Sequence, residues 1–299
     1  MRVFILTVLT MIAFASNSLL CRSALRDTGI DAASFTFIRI FAGAVALWVI
    51  VRSRSAVAAV CDRRINSSGA HRAPLQGNWP SALALFAYAA AFSFAYNTLS
   101  AGTGALLLFG AVQATMILWG FGKGERLDAI QIAGLLIALI GLVVLVFPGL
   151  SAPPIGGSVL MLGAGIAWGV YSLRGKVRAG LASDPIATTS GNFLRAVPFA
   201  ALICIAMLRT MCFDSLGVTY AIISGAITSG VGYVLWYAAL RDLKAASAAT
   251  VQLSVPVIAA TGGILFLSEP VTLRYVLASS AVLGGILLVI IERNSRIAV

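Results

Sequence analysis

The chain has 299 residues, of which 60% are hydrophobic and only 10% charged, against roughly 45–50% and 25% in soluble domains. Such a composition excludes a fold solvated by water alone and makes lipid the solvent. A helical span takes about 20 apolar residues, so the length holds roughly ten spans and no sizeable extramembrane domain. The net charge of +11 is scattered over many short segments, which excludes a concentrated nucleic-acid surface and reads as a topology signal.

Arg2 followed by the apolar run Val3 to Leu20 has the outline of a signal peptide but no small-residue cleavage site, and predicts a first span over 3–21 that carries Asn17 and Ser18. Span two is expected over 32–51, with Arg39 well inside it in the triplet Phe37-Ile38-Arg39. The basic stretch from Arg52 to Arg72, with the single histidine His71, reads as a solvated loop. Trp79-Pro80 opens span three (80–98), where Tyr88, Phe92 and Tyr96 recur every four residues and share one face. Span four (102–121) brings Gln113 and Thr115, and span five (129–147) offers the close-packing face Gly134, Ala138, Gly141. Span six (156–173) carries Trp168 and Tyr171, and Asp184-Pro185 opens span seven (186–208) with Asn192 and Arg195. Span eight (217–239) carries Tyr233, Trp236 and Tyr237. In span nine (246–267) Pro256 cannot donate to the carbonyl of Gln252, so a hinge or a static kink both fit. Glu269-Pro270 opens span ten (271–291), whose Ala281 and Gly285 form a second small-residue face suited to packing within the chain or to a homodimer. Each of the three prolines at span starts is expected in a first turn, where its missing N–H costs nothing.

With a cytoplasmic N-terminus, the inward segments hold Arg2, Arg52, Arg54, Arg63, Arg64, Arg72, Lys123, Arg126, Arg174, Lys176, Arg178, Arg241, Lys244, Arg293 and Arg296. The outward ones hold only Arg22, Arg26, Arg209 and Arg274. That bias predicts both termini in the cytoplasm. Trp48, Trp79 and Trp119, near span ends, are expected in an interfacial belt. Cys21, Cys61, Cys204 and Cys212 form no CxxC pair and no metal-site spacing, so no metal or cofactor is expected.

The two halves share landmarks in the same order. Phe37-Ile38-Arg39 matches Phe193-Leu194-Arg195, Tyr96 matches Tyr237, and Glu125 and Gly141 match Glu269 and Gly285. Five spans per half is an odd number, so residues 1–150 and 151–299 are expected to enter the membrane in opposite senses. The predicted fold is therefore an all-α polytopic protein of ten helices in two inverted five-helix repeats, with a site near the midplane between them.

Two stretches carry a family likeness: Trp119-Gly-Phe-Gly-Lys-Gly-Glu125 with Gly134 and Gly141, and Phe266-Leu-Ser-Glu269-Pro270 with Gly284 and Gly285. On these the chain resembles the ten-helix EamA-like branch of the drug/metabolite transporter superfamily. The resemblance implies export or exchange of small organic solutes, with bacterial aromatic amino-acid exporters the nearest match, in a bacterial inner membrane. The pattern is broken where Ala15-Ser16 stands opposite Trp168-Gly169 and where span four has no proline opposite Pro256.

Asn17, Ser18, Tyr88, Phe92, Tyr96, Gln113, Trp168, Tyr171, Tyr233, Trp236, Tyr237 and Gln252 are the candidate substrate ligands, together describing a ring-walled pocket with a few hydrogen-bonding groups. Arg39 and Arg195 are the only basic residues well inside spans. They fit ion pairs with Glu269 and Glu125 that close each face, ties to backbone carbonyls, or a dock for a substrate carboxylate. No Asp or Glu falls in midspan, so facilitated rather than proton-coupled transport is expected. An intramembrane enzyme would lack general acid and base groups; a lipid-handling or scaffold protein is the other alternative. The partners expected are a small-molecule substrate and the lipid bilayer, with the chain a monomer or homodimer and no nucleic acid.

Overall fold

The computed structural model describes residues 1–62, 76–124, 129–147, 152–179, 184–240 and 251–297. They form ten helices: α1 (Arg2–Asp27), α2 (Ala32–Asp62), α3 (Trp79–Tyr96), α4 (Ala101–Gly122), α5 (Ala129–Val146), α6 (Ile155–Ala179), α7 (Pro185–Ala206), α8 (Ser215–Ala239), α9 (Ser254–Leu267) and α10 (Leu273–Ile297). Eight are long and apolar enough to cross a bilayer, and Ser254–Leu267 and Leu273–Leu288 are shorter apolar helices. Only helices satisfy every backbone group within one segment, which is what hydrocarbon demands. His71, Glu125 and the division of the halves at residues 150 and 151 lie outside the described residues.

Successive helices alternate in direction, so the N-terminus and the end of α10 share one face of the bundle, here the terminal face; the other is the far face. Helix packing repeats with a shift of five. α3 lies on α6 as α8 lies on α1, α4 on α6 as α9 on α1, and α7 on α3 as α2 on α8. The pairs α2 with α7, α4 with α9 and α5 with α10 complete the set. An odd shift between alternating helices makes the second half the inverse of the first.

Local chemistry sets the helix ends. Asn78 accepts from the Ser81 N–H at the start of α3, where Pro80 sits in the first turn, and Asp184 does the same for Ile186 ahead of Pro185. Pro270 departs from that expectation. Ser268 takes a left-handed conformation (φ 49°), residues 268–272 stay non-helical, and Thr272 caps α10 by accepting from the Tyr275 N–H. The segment is held out of the helix because the Glu269 side chain is committed elsewhere. Residues 246–250 of the expected span nine lie outside the described residues; within the rest, Val251 and Gln252 are helical, Leu253 is a turn, and Pro256 falls in the first turn of α9. The break at Leu253 lies beside Pro256, whose ring nitrogen carries no hydrogen to donate back along the helix.

The small-residue faces of α5 and α10 are spent on each other. A Cβ on Gly141 would press on Ala281, and one on Gly285 would overlap the Gly134 carbonyl and Ala138. Of the two uses expected for these faces, this is packing within the chain. Trp48, Trp79 and Trp119 are exposed at the terminal face, with Arg52 and Lys123 over the rings of Trp48 and Trp119.

Candidate functional site

The two halves meet along α1, α3, α6 and α8, and these helices, with α4, line a central cavity. Its walls are Phe14, Asn17, Ser18, Tyr88, Phe92 and Trp168, closed by Leu108, Phe109, Thr228, Ser229 and Tyr233. The cavity has a volume of about 20 Å³. The conformation is therefore a contracted one.

One wall is aromatic. Trp168 stacks on Tyr233 (5.3 Å between ring centres) and on Tyr171 (5.4 Å), and Tyr88 lies 4.8 Å from Trp168. Phe14 meets Tyr233 and Trp236 edge-on at 6.0 Å. The other wall is polar and centres on Asn17. Its Oδ1 accepts from Ser224 and Thr228 Oγ1 (3.3 Å), and its Nδ2 donates to Tyr88 Oη (3.4 Å). Ser224 and Thr228 reach it because α8 widens into a π-helix over Ser224–Val231, a wide turn that turns hydroxyls toward the site. Ser229 Oγ, on the same stretch, is buried without a partner.

Six of the sequence-derived candidates, Asn17, Ser18, Tyr88, Phe92, Trp168 and Tyr233, share this cavity. Tyr171 lies one turn away on α6, where its hydroxyl accepts from Asn192 Nδ2 (3.4 Å). Trp236 backs Phe14, and Tyr237 accepts from Thr189 Oγ1 (3.4 Å). Tyr96 is fully buried beneath Phe92 and donates to the Ala101 carbonyl (3.3 Å). Gln113 is buried on α4, Gln252 stands before α9, and neither lines the cavity.

Arg39 is 2% exposed and stands directly behind the wall. Its Nη2 donates to Tyr88 Oη (3.0 Å), and its guanidinium lies over the rings of Phe92 (4.7 Å) and Tyr88 (5.4 Å). It does not pair with Glu269. That carboxylate takes Arg22 Nε at 3.3 Å and the Ala101 N–H at 2.8 Å, joining α1, the start of α4 and the α9–α10 link at the far face. Arg22 lies in the last turns of α1 rather than in a loop, and also donates to the Tyr96 and Asn97 carbonyls. A second cavity of about 200 Å³ opens beside this junction, lined by Glu269, Thr103, Thr272 and Tyr275 among others.

At the terminal face, residues 76–78 form a strap across α7. Arg195 Nη1 donates to the Gln76 carbonyl (2.8 Å), Thr188 Oγ1 to Gln76 Oε1 (3.1 Å), and the Asn78 N–H to Asn192 Oδ1 (3.0 Å). Arg174 on α6 donates to Asn78 Oδ1 (3.2 Å) and Ser81 Oγ (3.2 Å). The approach requires glycine twice. Gly77 has φ +96°, and a Cβ on Gly191 would overlap the Gln76 carbonyl. Asn192 thus joins the strap to Tyr171, accepting from Asn78 on one side and donating to the Tyr171 hydroxyl on the other, and Tyr171 in turn stacks on the cavity residue Trp168.

Phe14, Arg22, Ser224, Thr228, Ser229 and the strap were not among the sequence-derived candidates. The available signal was the run of small and hydroxyl residues from Ser224 to Gly232, which in an apolar helix looks like packing.

Residues 155–291 match the model of the EamA-like transporter family. An uncharacterized protein of Pseudomonas aeruginosa is 52% identical over 297 residues, covering 99% of this chain and 97% of that protein. An uncharacterized transporter of Archaeoglobus fulgidus is 27% identical, covering 65% of this chain and 70% of that one. The threonine/homoserine exporter RhtA of Escherichia coli is 33% identical over 132 residues, 43% of each chain. A solved crystal structure superposes with a TM-score of 0.64 over 96% of both chains at 15% identity, a likeness of fold. The chain belongs to the EamA-like transporter family of the drug/metabolite transporter superfamily, and is a multi-pass membrane transporter rather than an enzyme.

Proposed function

We infer that this transporter moves small amino acids across a bacterial inner membrane by facilitated alternating access. The observation that carries the reading is the convergence of Asn17, Ser18, Tyr88, Phe92, Trp168 and Tyr233, from both halves, on one cavity with a polar edge and ring walls. Ring faces suit an ammonium group, and the hydroxyls of Ser18, Thr228 and Ser229 suit a short polar side chain. The likeness to a threonine/homoserine exporter supports solutes of that size. The stacked Trp168, Tyr233 and Tyr171 favour, as a second reading, the aromatic amino acids expected from the sequence.

Among the described residues no carboxylate lines the central cavity, which supports exchange down a gradient over proton coupling. The Glu269–Arg22–Ala101 junction acts as the far gate and the strap held by Arg195 and Asn192 as the terminal gate, with the break before Pro256 a hinge for α9. The bias of basic residues supports cytoplasmic termini, which makes the far face the release side in export. The cavity is complete within one chain, so a monomer suffices.

Counterflow in proteoliposomes tests the reading. Vesicles loaded with unlabelled threonine, homoserine, phenylalanine, tyrosine or tryptophan are expected to take up the labelled form of at least one, saturably. Exchange no faster than in protein-free vesicles for every one of them defeats it, as does accumulation driven by a pH gradient.

A further inference from the structure

The polar wall of the central cavity is a set of donors that converge without a final acceptor. Ser224 and Thr228 both donate to Asn17 Oδ1, which orients the amide so that Nδ2 faces Tyr88 and donates to its hydroxyl oxygen. Arg39 Nη2 donates to that same oxygen from the other side. Tyr88 Oη therefore accepts twice, and its own proton meets no acceptor among the described residues. Arg39 Nη1 is likewise buried with no hydrogen-bond partner. No Asp or Glu forms an ion pair with Arg39 among the described residues, and the faces of Tyr88 and Phe92 are its remaining electrostatic relief. A buried cation without a counter-ion is strongly unfavourable, and is kept in a membrane core where a partner arrives in the course of function.

We propose that this partner is the carboxylate of the transported solute, docked where Tyr88 and Phe92 meet the Arg39 guanidinium, with one oxygen on Arg39 Nη1 and the other on the Tyr88 hydroxyl. Two converging donors with one positive charge match a planar, singly charged acceptor with two oxygens. The same charge repels solutes that carry an amine and no acid. An amino acid bound this way directs its ammonium group away from Arg39, toward the rings of Trp168 and Tyr233 and the unpartnered Ser229 hydroxyl. The site then selects for the acid group and leaves discrimination among side chains to the ring walls. This assignment rests on the reading of the cavity as the solute site.

The test compares solutes that differ only at the acid. In counterflow of labelled threonine, threoninamide and the decarboxylated amine 1-amino-2-propanol are expected to compete at least about tenfold more weakly than threonine. Arg39→Gln and Tyr88→Phe should each erase that preference, and Arg39→Lys should retain part of it. Tyr88→Phe removes a single oxygen and keeps the ring, so it remains informative if Arg39→Gln fails to fold. An amide that competes as well as the acid in the unmodified protein overturns the assignment, and so does a phosphate monoester that displaces threonine more effectively than any carboxylate. A preference unchanged in both variants has the same force. If no amino acid exchanges at all, the transport reading fails on its own, and the carboxylate site is read by thermal unfolding of the nanodisc-embedded protein with propionate against propionamide. Stabilisation by propionate alone, lost in Tyr88→Phe, upholds the site; equal effects of the two overturn it.

Discussion

Replacing Gly191 with alanine strikes the strap at the terminal face where it is tightest. The added Cβ would overlap the Gln76 carbonyl oxygen, which belongs to backbone and cannot rotate away. Overpacking of this kind costs typically 1–3 kcal/mol. A strap lifted off α7 also loses the Arg195 bond to the Gln76 carbonyl and the Asn78 bond to Asn192. Those contribute about 1 kcal/mol for the neutral bond and about 1.5–3 kcal/mol for the charged one. Because Arg195 and Asn192 find water when the strap lifts, the net bias against closure is about 2–4 kcal/mol, or roughly 30-fold to 1000-fold in the closed-to-open ratio. The reporter is Thr189→Cys, buried on α7 beside the strap, in a background with Cys61 and Cys212 changed to serine. Its alkylation by a membrane-impermeant maleimide, applied from the terminal face, is expected to rise at least about tenfold with Gly191→Ala. An unchanged rate in a variant that unfolds at the parent temperature refutes the strap as a gate.

At the far face, Glu269→Gln removes the charge that Arg22 and the Ala101 N–H share; the junction is expected to weaken by about 1.5–3 kcal/mol. Maleimide labelling of a thiol at Thr103, beside that junction, should speed up from the far side and stay unchanged from the terminal side. Asp31 links the α1–α2 turn to the segment before α8, accepting from the N–H groups of Ala33, Ser34 and Cys212. Burial pushes its carboxyl upward, but the bonds from Ser34, Cys212 and Ala33 outweigh it and hold the pKa below its ordinary value. A depressed carboxylate adds stability that is fully present above its unfolded pKa of about 3.9 and is lost as pH falls through the lower folded value. Thermal unfolding between pH 6 and 3 should therefore show a loss of stability at the acid end that is smaller in Asp31→Ala, itself weaker by about 0.5–2 kcal/mol at neutral pH through loss of the α2 cap.

Hydropathy and proline punctuation made most of the fold legible, because in lipid an apolar run of sufficient length has few alternatives to a helix. Matched pairs such as Arg39 with Arg195 and Gly141 with Gly285 carried the five-helix shift, which the packing of α5 on α10 and of α2 on α7 repeats. What the sequence could not specify was which polar group meets which. Spacing put Arg39 and Glu269 on the same side of the membrane. The partner of Glu269 is Arg22, since α1 runs six residues further than its apolar stretch and carries that arginine to the far face on a helical turn. Pro270 resembled a helix start like Pro80, yet the Glu269 side chain, bound to α4, holds the chain extended around it. Ser224, Thr228 and Ser229 escaped notice because small hydroxyl residues pass for packing in a regular helix; only the π stretch turns them toward Asn17. Aromatic residues at helical spacing were more informative, since four of the six candidates that share the cavity carry rings.

In the proposed transport cycle a solute occupies the cavity between the halves. Ser229→Leu tests it most directly, because the added methyl groups enter the small free space of the site from a side chain whose hydroxyl has no partner to lose. Measured by counterflow of the amino acid that the unmodified protein exchanges fastest, the variant is expected to fold normally and to lose at least about nine-tenths of its exchange rate, since the filled space is where the solute must rest. Exchange at the parent rate, with the cavity filled and the fold intact, would contradict the account.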